Sequence, residues 1–243
     1  MSLFDTIVYQ RVAVSHLQQP FLFLQKKTIF EKKIVMYNDS NIAVNPLAVL
    51  KPEKEQRRYT LAEYLRREER AEELHEYYDG IITKLPMARG PHNRITMNTG
   101  TALNNAFDKA GKTYFVEGAQ QIVYLPALNV GLYPDVLVIS ETPQYFDNNE
   151  VLLINPLVII EVLSKGTGKY DRTNKFDKYK TLTSFKEYVL IDQNKCHIET
   201  RFREEPNLWR ENIFNDISST FYLKSVDTHI SMAAIYKNIA FKK

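Results

Sequence analysis

The sequence predicts an α/β or α+β fold in which a mixed β-sheet is flanked by helices. Three observations carry that reading. The segment Leu157-Val-Ile-Ile-Glu-Val-Leu163 is apolar at every position but one, the mark of a strand covered on both faces. Helical and strand periodicities follow one another as helix, strands, helix, strands, helix, strand. The chain has 243 residues, 44% hydrophobic and 25% charged, enough to bury a core without a disulfide or metal staple.

The elements follow in order. Residues 1–58 show no sustained period, contain Pro20, Pro46 and Pro52, and end in the charged run Lys51–Arg58. They read as a weakly ordered appendage to a domain spanning 59–243. Met36 is a second candidate start of the compact protein, and residues 1–35 are expected to be dispensable for folding. Thr60 and Glu63 form a capping box, and Leu61, Tyr64 and Leu65 recur at helical spacing. Arg66 to Glu73 reads as a solvated helix face. Glu76-Tyr-Tyr-Asp79-Gly80-Ile-Ile predicts a hairpin, with Asp79 as a turn residue. Pro91 opens a helix whose apolar face is Ile95, Thr99, Ala102, Leu103 and Ala106, and Gly111 stops it. Strands are expected at Thr113–Leu125, Pro134–Ile139 and Leu157–Leu163. A helix from about Asp171 to Leu182 comes next, then strands at Glu187–Ile191 and Cys196–Phe202. A terminal helix is expected over Ile230–Ile239.

Composition removes several classes. Cys196 is the one cysteine, which excludes an internal disulfide and a cysteine zinc cluster and fits a reducing, cytoplasmic location. The apolar stretch Val12–Phe30 is broken by His16, Gln18, Gln19, Pro20, Gln25, Lys26 and Lys27, so no membrane span is expected. Asp5, and the lack of a small-residue cleavage site, argue against a secretory signal. The net charge is +3; residues 1–58 hold 9 basic and 5 acidic residues, which leaves 23 basic and 24 acidic for the rest. Any nucleic-acid contact of the near-neutral domain must therefore come from a local patch.

The informative residues are acids inside apolar strands. Asp135 precedes Val-Leu-Val-Ile, and Glu161 sits within Ile-Ile-Glu-Val-Leu. A carboxylate in such a run loses hydration and needs a cation, a hydrogen bond or a proton. Two that meet at neighbouring strand ends present hard oxygens of the kind Mg²⁺ accepts; each alone is equally explained as a strand cap or a lysine partner. Neutralising an acid of a like-charged cluster should leave stability unchanged or raised, whereas neutralising the partner of a lysine should lower it. Other chemistries find little support. Ser164 lies in no G-x-S-x-G elbow, Gly166-Thr-Gly168-Lys169 lacks P-loop spacing, and His16, His75, His197 and His229 have no zinc-like spacing. Trp209 reads as packing.

Pro134-Asp135, followed 26 residues later (161 minus 135) by Glu161, resembles the PD-(D/E)XK nuclease superfamily. Within it, the chain resembles the Uma-type restriction endonucleases. The matching segments are Tyr77-Tyr-Asp79-Gly80, Pro91-His92, Tyr133-Pro134-Asp135-Val136, Val158-Ile-Ile-Glu161-Val162-Leu163-Ser164, Asp171-Arg-Thr-Asn-Lys175 and Glu187-Tyr-Val-Leu-Ile-Asp192. The resemblance implies a restriction-endonuclease-like α/β fold and Mg²⁺-dependent phosphodiester hydrolysis in DNA, with Mn²⁺ as a substitute. It implies Asp135 and Glu161 as metal ligands with the Val162 carbonyl, and Glu76 as a third carboxylate acting directly or through water. Leu163 stands where the superfamily has a strand lysine; in the Uma-type group that lysine comes from the following helix, here Lys175. Lys165, Lys169 and Lys178 are rival donors. His92 touches a phosphate, supports a carboxylate, or is a plain helix histidine. Asp171 reads as a helix N-cap. Related nucleases pair to cut two strands, so a homodimer is an expected arrangement. The competing reading is a catalytically inactive nuclease fold serving as a nucleic-acid or protein binding module.

Overall fold

The computed structural model describes residues 57–140 and 142–241. The expected appendage therefore lies, except for residues 57 and 58, outside the described residues, as does the dispensable segment 1–35.

The domain opens with α1 (Leu61–Glu68), which carries the reciprocal capping box of Thr60 and Glu63. The hairpin of β1 (His75–Tyr78) and β2 (Ile81–Lys84) follows. Its two-residue turn places Asp79 at φ 43° and Gly80 at φ 94°, the left-handed geometry that Asp-Gly supplies. A Cβ on Gly80 would also lie 3.1 Å from the Arg58 Cβ. Gly80→Ala should cost about 1–3 kcal/mol, read as a lowered thermal midpoint.

The long helix α2 (Gly90–Ala110) starts with Pro91 in its first turn and ends at Gly111, φ 64°, where the Lys112 N–H donates to Phe107 O at 2.9 Å. Then come β3 (Phe115–Gly118), β4 (Ile122–Leu125), β5 (Val130–Leu132), β6 (Val136–Ile139), the short β7 (Leu152–Leu153) and β8 (Val158–Leu163). The helical segment after β8 is continuous: α3 (Gly168–Tyr170), a π-helical turn (Asp171–Lys175) and α4 (Phe176–Tyr179). The chain continues through β9 (Glu187–Asp192), β10 (Ile198–Glu205), β11 (Leu208–Phe214), the hairpin β12 (Thr220–Leu223) and β13 (Thr228–Ser231), and α5 (Met232–Ile235).

Six strands form the central sheet in the order β11-β10-β9-β8-β6-β3. It is mixed: β8 and β9 run parallel, whereas β6 and β8 are antiparallel. All six residues of β8 are buried, and its side chains divide between two cores. Val158, Ile160 and Val162 pack with Ile95, Leu103 and Phe107 of α2 and with Ile235 of α5. Ile159 and Leu163 face the other way, onto Phe176 and Tyr179 of α4. Glu161 falls on this second face by the two-residue alternation. A five-stranded sheet, β2-β1-β5-β4-β7, lies on that side as well. It turns Val123, Leu125 and Leu132 toward the central sheet, and Ile122, Tyr77 and Tyr124 toward Tyr64 of α1.

Several sequence expectations need correction. The strand expected over Thr113–Leu125 is two strands, separated by a turn in which Gln121 N–H donates to Gly118 O at 3.2 Å. The helix expected to begin at Asp171 begins at Gly168, so Asp171 is an interior residue with helical φ and ψ (−62°, −40°) and not an N-cap. The terminal helix is confined to Met232–Ile235. Thr228-His-Ile-Ser alternates as a strand, and the Ser231 hydroxyl caps the helix by accepting from Ala234 N–H.

Candidate active site

The β6–β8 register pairs Val136 with Ile160, so one step further along the antiparallel ladder Asp135 comes opposite Glu161. Asp135 Oδ2 accepts from the Val162 N–H at 2.7 Å. His92, in the first turns of α2, brings Nε2 to 3.3 Å from the same oxygen. Burial lowers the His92 imidazole pKa, but the hydrogen bond and charge of Asp135 outweigh it and leave it raised. Its Nδ1 is buried and has no partner among the described residues.

Lys175 enters from the π-helical turn and is buried. Its Nζ lies 2.8 Å from Glu161 Oε1 and 3.6 Å from Glu76 Oε1, and donates to Tyr133 O at 2.9 Å. Tyr179 OH, on the same helical segment, donates to Glu161 Oε1 at 3.2 Å. Glu76, on β1, accepts from Tyr78 OH through Oε2, and Tyr78 OH lies 2.6 Å from Tyr170 OH. Its other oxygen, Oε1, is buried and makes no hydrogen bond among the described residues.

The exposures of Glu76, Glu161, Asp171 and Lys175 are 4%, 3%, 4% and 5%, so little water is available to any of these charges. Burial drives the Glu161 carboxyl well above the usual carboxylate range; Lys175 opposes that, and Asp171 and Asp135 add to it. Asp171 is raised for the same first reason, burial, with Lys175 again opposing. Burial alone would lower the Lys175 ammonium, yet Glu161, Glu76 and Asp171 together hold it raised, so it stays charged. Both members of the Glu161–Lys175 pair therefore hold protons more tightly than usual. That is the signature of a site with more carboxylates than cations.

The structure thus brings Glu76, Glu161 and Lys175 into direct proximity, with Asp135 and His92 joined to each other at the neighbouring strand end. Lys165 and Lys169 are exposed, and Lys178 instead lies over the Tyr78 and Tyr170 rings. Sequence reading missed Asp171 as a member of the cluster. Its spacing from Lys175, four residues along one helix, was the available signal. The π-helical turn that buries both was not legible, although such turns concentrate at functional sites. Among the described residues, no three of His, Cys, Asp and Glu are already arranged around one cation position.

Comparison with known proteins agrees with this architecture. A profile of the Uma2 family, described as "Putative restriction endonuclease", matches residues 61–228. The chain is 37% identical over 140 residues to the uncharacterized protein sll1609 of Synechocystis sp. (strain ATCC 27184 / PCC 6803 / Kazusa), which covers 58% of this chain and 78% of that one. A second protein of that organism, the uncharacterized slr1290, is 29% identical over 182 residues, 74% of this chain and 92% of its own. A crystal structure described as a putative nuclease belonging to DUF820, from Anabaena variabilis ATCC 29413, superposes with a TM-score of 0.58. It is 19% identical and covers 75% of this chain and 99% of that one, so the likeness is one of fold. No helix among the described residues is long and apolar enough to cross a membrane. The family description supports a nuclease function in general terms. Since the profile runs from the first helix through the last hairpin and takes in every residue of the buried charge cluster, the chain belongs to the Uma2 family of restriction-endonuclease-like proteins.

Proposed function

We propose that the chain is an endonuclease that hydrolyses phosphodiester bonds in DNA with Mg²⁺, or Mn²⁺ in its place. The observation that carries this reading is the gathering of Glu76, Asp135, Glu161 and Asp171 about a single buried lysine, Lys175. Four carboxylates against one ammonium leave a negative excess in a poorly hydrated place, and a divalent cation relieves it. The donor set fits. Mg²⁺ is held through one or two carboxylates together with waters and substrate oxygens, so a complete protein cage is not needed. Asp135 and Glu161 supply the two carboxylates, the Val162 carbonyl a third oxygen, and the unpartnered Glu76 Oε1 a ligand reached directly or through water. When bound, the ion would polarise the phosphate and lower the pKa of the attacking water.

The remaining work belongs to the chain. Lys175 keeps its proton, and from its place beside Glu161 it offsets charge that builds on the phosphate or orients the water. His92 holds Asp135 in orientation through Nε2 and offers its free Nδ1 side to a phosphate oxygen. The competing reading, an inactive binding module, rests on the near-neutral domain. Incubating supercoiled plasmid, single-stranded DNA and RNA with the protein, in Mg²⁺ and in EDTA, separates the two. Metal-dependent products from DNA are expected. Products from RNA alone would overturn the substrate, and no product from any of the three would leave the binding module.

A further inference from the structure

A second feature lies beside the acid cluster, around the same helical segment. Where the parallel strands β8 and β9 end, a cavity of about 370 Å³ opens between the two strand ends and the start of the helical segment. Its polar lining is Ser164, Lys165, Lys169, Arg172, Asp192 and Asn194. Crevices outside the carboxyl ends of parallel strands are where open α/β sheets take ligands.

Much of that lining is already committed. Arg172 is held by Glu199 through Nε at 3.0 Å and Nη2 at 2.8 Å, and by Gly168 O through Nη1 at 3.2 Å. It forms a wall and its charge is cancelled. Asp192 Oδ1 accepts from Asn194 N–H at 2.8 Å, so its carboxylate closes a turn. Ser164 Oγ lies 3.0 Å from Thr167 Oγ1 and accepts from Thr167 N–H at 3.2 Å. Lys165 and Lys169 remain. Both are exposed, on the rim, with no ion-pair partner among the described residues. Two lysines against the one uncancelled carboxylate of Asp192 give the cavity a positive balance, in a domain that is otherwise near neutral.

Position gives that balance a meaning. The cavity lies on the β9 side of the β8 end, whereas Asp135 lies on its β6 side. One to two strand spacings of about 4.8 Å separate them, roughly 5–10 Å. At about 3.4 Å of rise per nucleotide, that corresponds to one to three nucleotides along a strand. The helical segment faces both: Asp171 and Lys175 are turned into the acid cluster, and Lys169 and Arg172 line the cavity.

We propose that this cavity is a backbone-phosphate subsite, in which Lys165 and Lys169 hold a phosphate of the nucleic-acid strand one to three nucleotides from the scissile bond. The inference rests on the nuclease reading above. It assigns these lysines to positioning and leaves the chemistry to the acid cluster.

The test uses the full chain and the double variant Lys165→Ala/Lys169→Ala, with Lys165→Arg/Lys169→Arg as the charge-preserving control. Binding of labelled duplex DNA is followed by anisotropy in EDTA across salt concentrations, and cleavage is followed in Mg²⁺. Each lost phosphate contact lowers the slope of log affinity against log salt by about 0.9. The wild type's advantage over the alanine variant should therefore shrink about twelvefold between 50 and 200 mM salt. In cleavage, the alanine variant should show a raised KM with kcat within about twofold of wild type, and the arginine variant should restore both readouts. Wild-type affinity and salt slope in an alanine variant, with wild type still cutting DNA, would overturn the subsite alone. A wild type that neither binds nor cuts DNA would overturn the nuclease reading and the subsite with it. If inorganic phosphate at constant ionic strength raised the melting temperature of wild type but not of the alanine variant, while the DNA slopes agreed, the cavity would belong to free phosphate and the backbone assignment would fall.

Discussion

Lys175→Ala is expected to abolish Mg²⁺-supported cleavage and to destabilise the metal-free protein by about 3–5 kcal/mol near pH 8. Lys175 is the cation nearest Glu161, at 2.8 Å, and both are buried. Removing one partner strands the other charge out of water. For a domain of this size the loss corresponds to a melting temperature lower by about 6–20 °C. The pH dependence has a definite sign. The Glu161 carboxyl is already raised above its ordinary 4.5, and it rises further without its cation. A group whose folded value is raised contributes most below its unfolded value and loses that contribution as pH climbs through the folded one. The deficit of the variant should thus be small near pH 4–5 and widest near pH 8. The Lys175 contribution in wild type persists until its ordinary 10.5 is passed, because its folded value is also raised. Melting curves of both proteins at pH 5 and pH 8 check this. A deficit independent of pH would show that Glu161 does not carry the stranded charge.

Neutralising the two strand acids should have different consequences, although sequence alone treats them alike. Glu161→Gln leaves buried Lys175 with Glu76 at 3.6 Å as its nearest remaining carboxylate, so a loss of about 3–5 kcal/mol is expected. The structure thus corrects the expectation that either neutralisation is harmless if the acids form a like-charged cluster. Asp135→Asn keeps a side-chain oxygen to accept from the Val162 N–H and removes one like charge acting on Glu161. Its stability should stay within about 1 kcal/mol of wild type. Both changes should cut the cleavage rate by on the order of 100-fold or more. For wild type, 10 mM Mg²⁺ against a dissociation constant of about 1 mM adds roughly 1.4 kcal/mol, a rise of about 3–5 °C. That rise should vanish in Asp135→Asn. An Asp135→Asn protein that melts like wild type and still responds to Mg²⁺ would remove Asp135 from the metal site.

The legible parts of the molecule are those where local chemistry is costly enough to leave a mark. Gly80 and Gly111 announce positive φ, and the Thr60–Glu63 box announces a helix start. Asp135 and Glu161 stand out because ions inside apolar runs need partners. What those partners are depends on contacts far apart in sequence. The Tyr133 carbonyl reaches Lys175 across 42 residues, and Glu76 comes to the same lysine from a different sheet. Asp171 was misread because its polarity suits an N-cap, while the true helix start, three residues earlier at Gly168, has no side-chain cap to mark it. Leu152–Leu153 and Val130–Leu132 are strands by virtue of their neighbours β4 and β1, which supply the hydrogen bonds that such short runs cannot specify alone.

The measurement that bears most directly on the account is the single-turnover cleavage rate of an end-labelled DNA by wild type and Asp135→Asn, each in Mg²⁺ and in EDTA. The account predicts cleavage by wild type in Mg²⁺ only, and a rate lower by on the order of 100-fold or more in the folded Asp135→Asn variant. Cleavage by wild type that persists undiminished in EDTA, or an Asp135→Asn protein cutting at the wild-type rate, would contradict it.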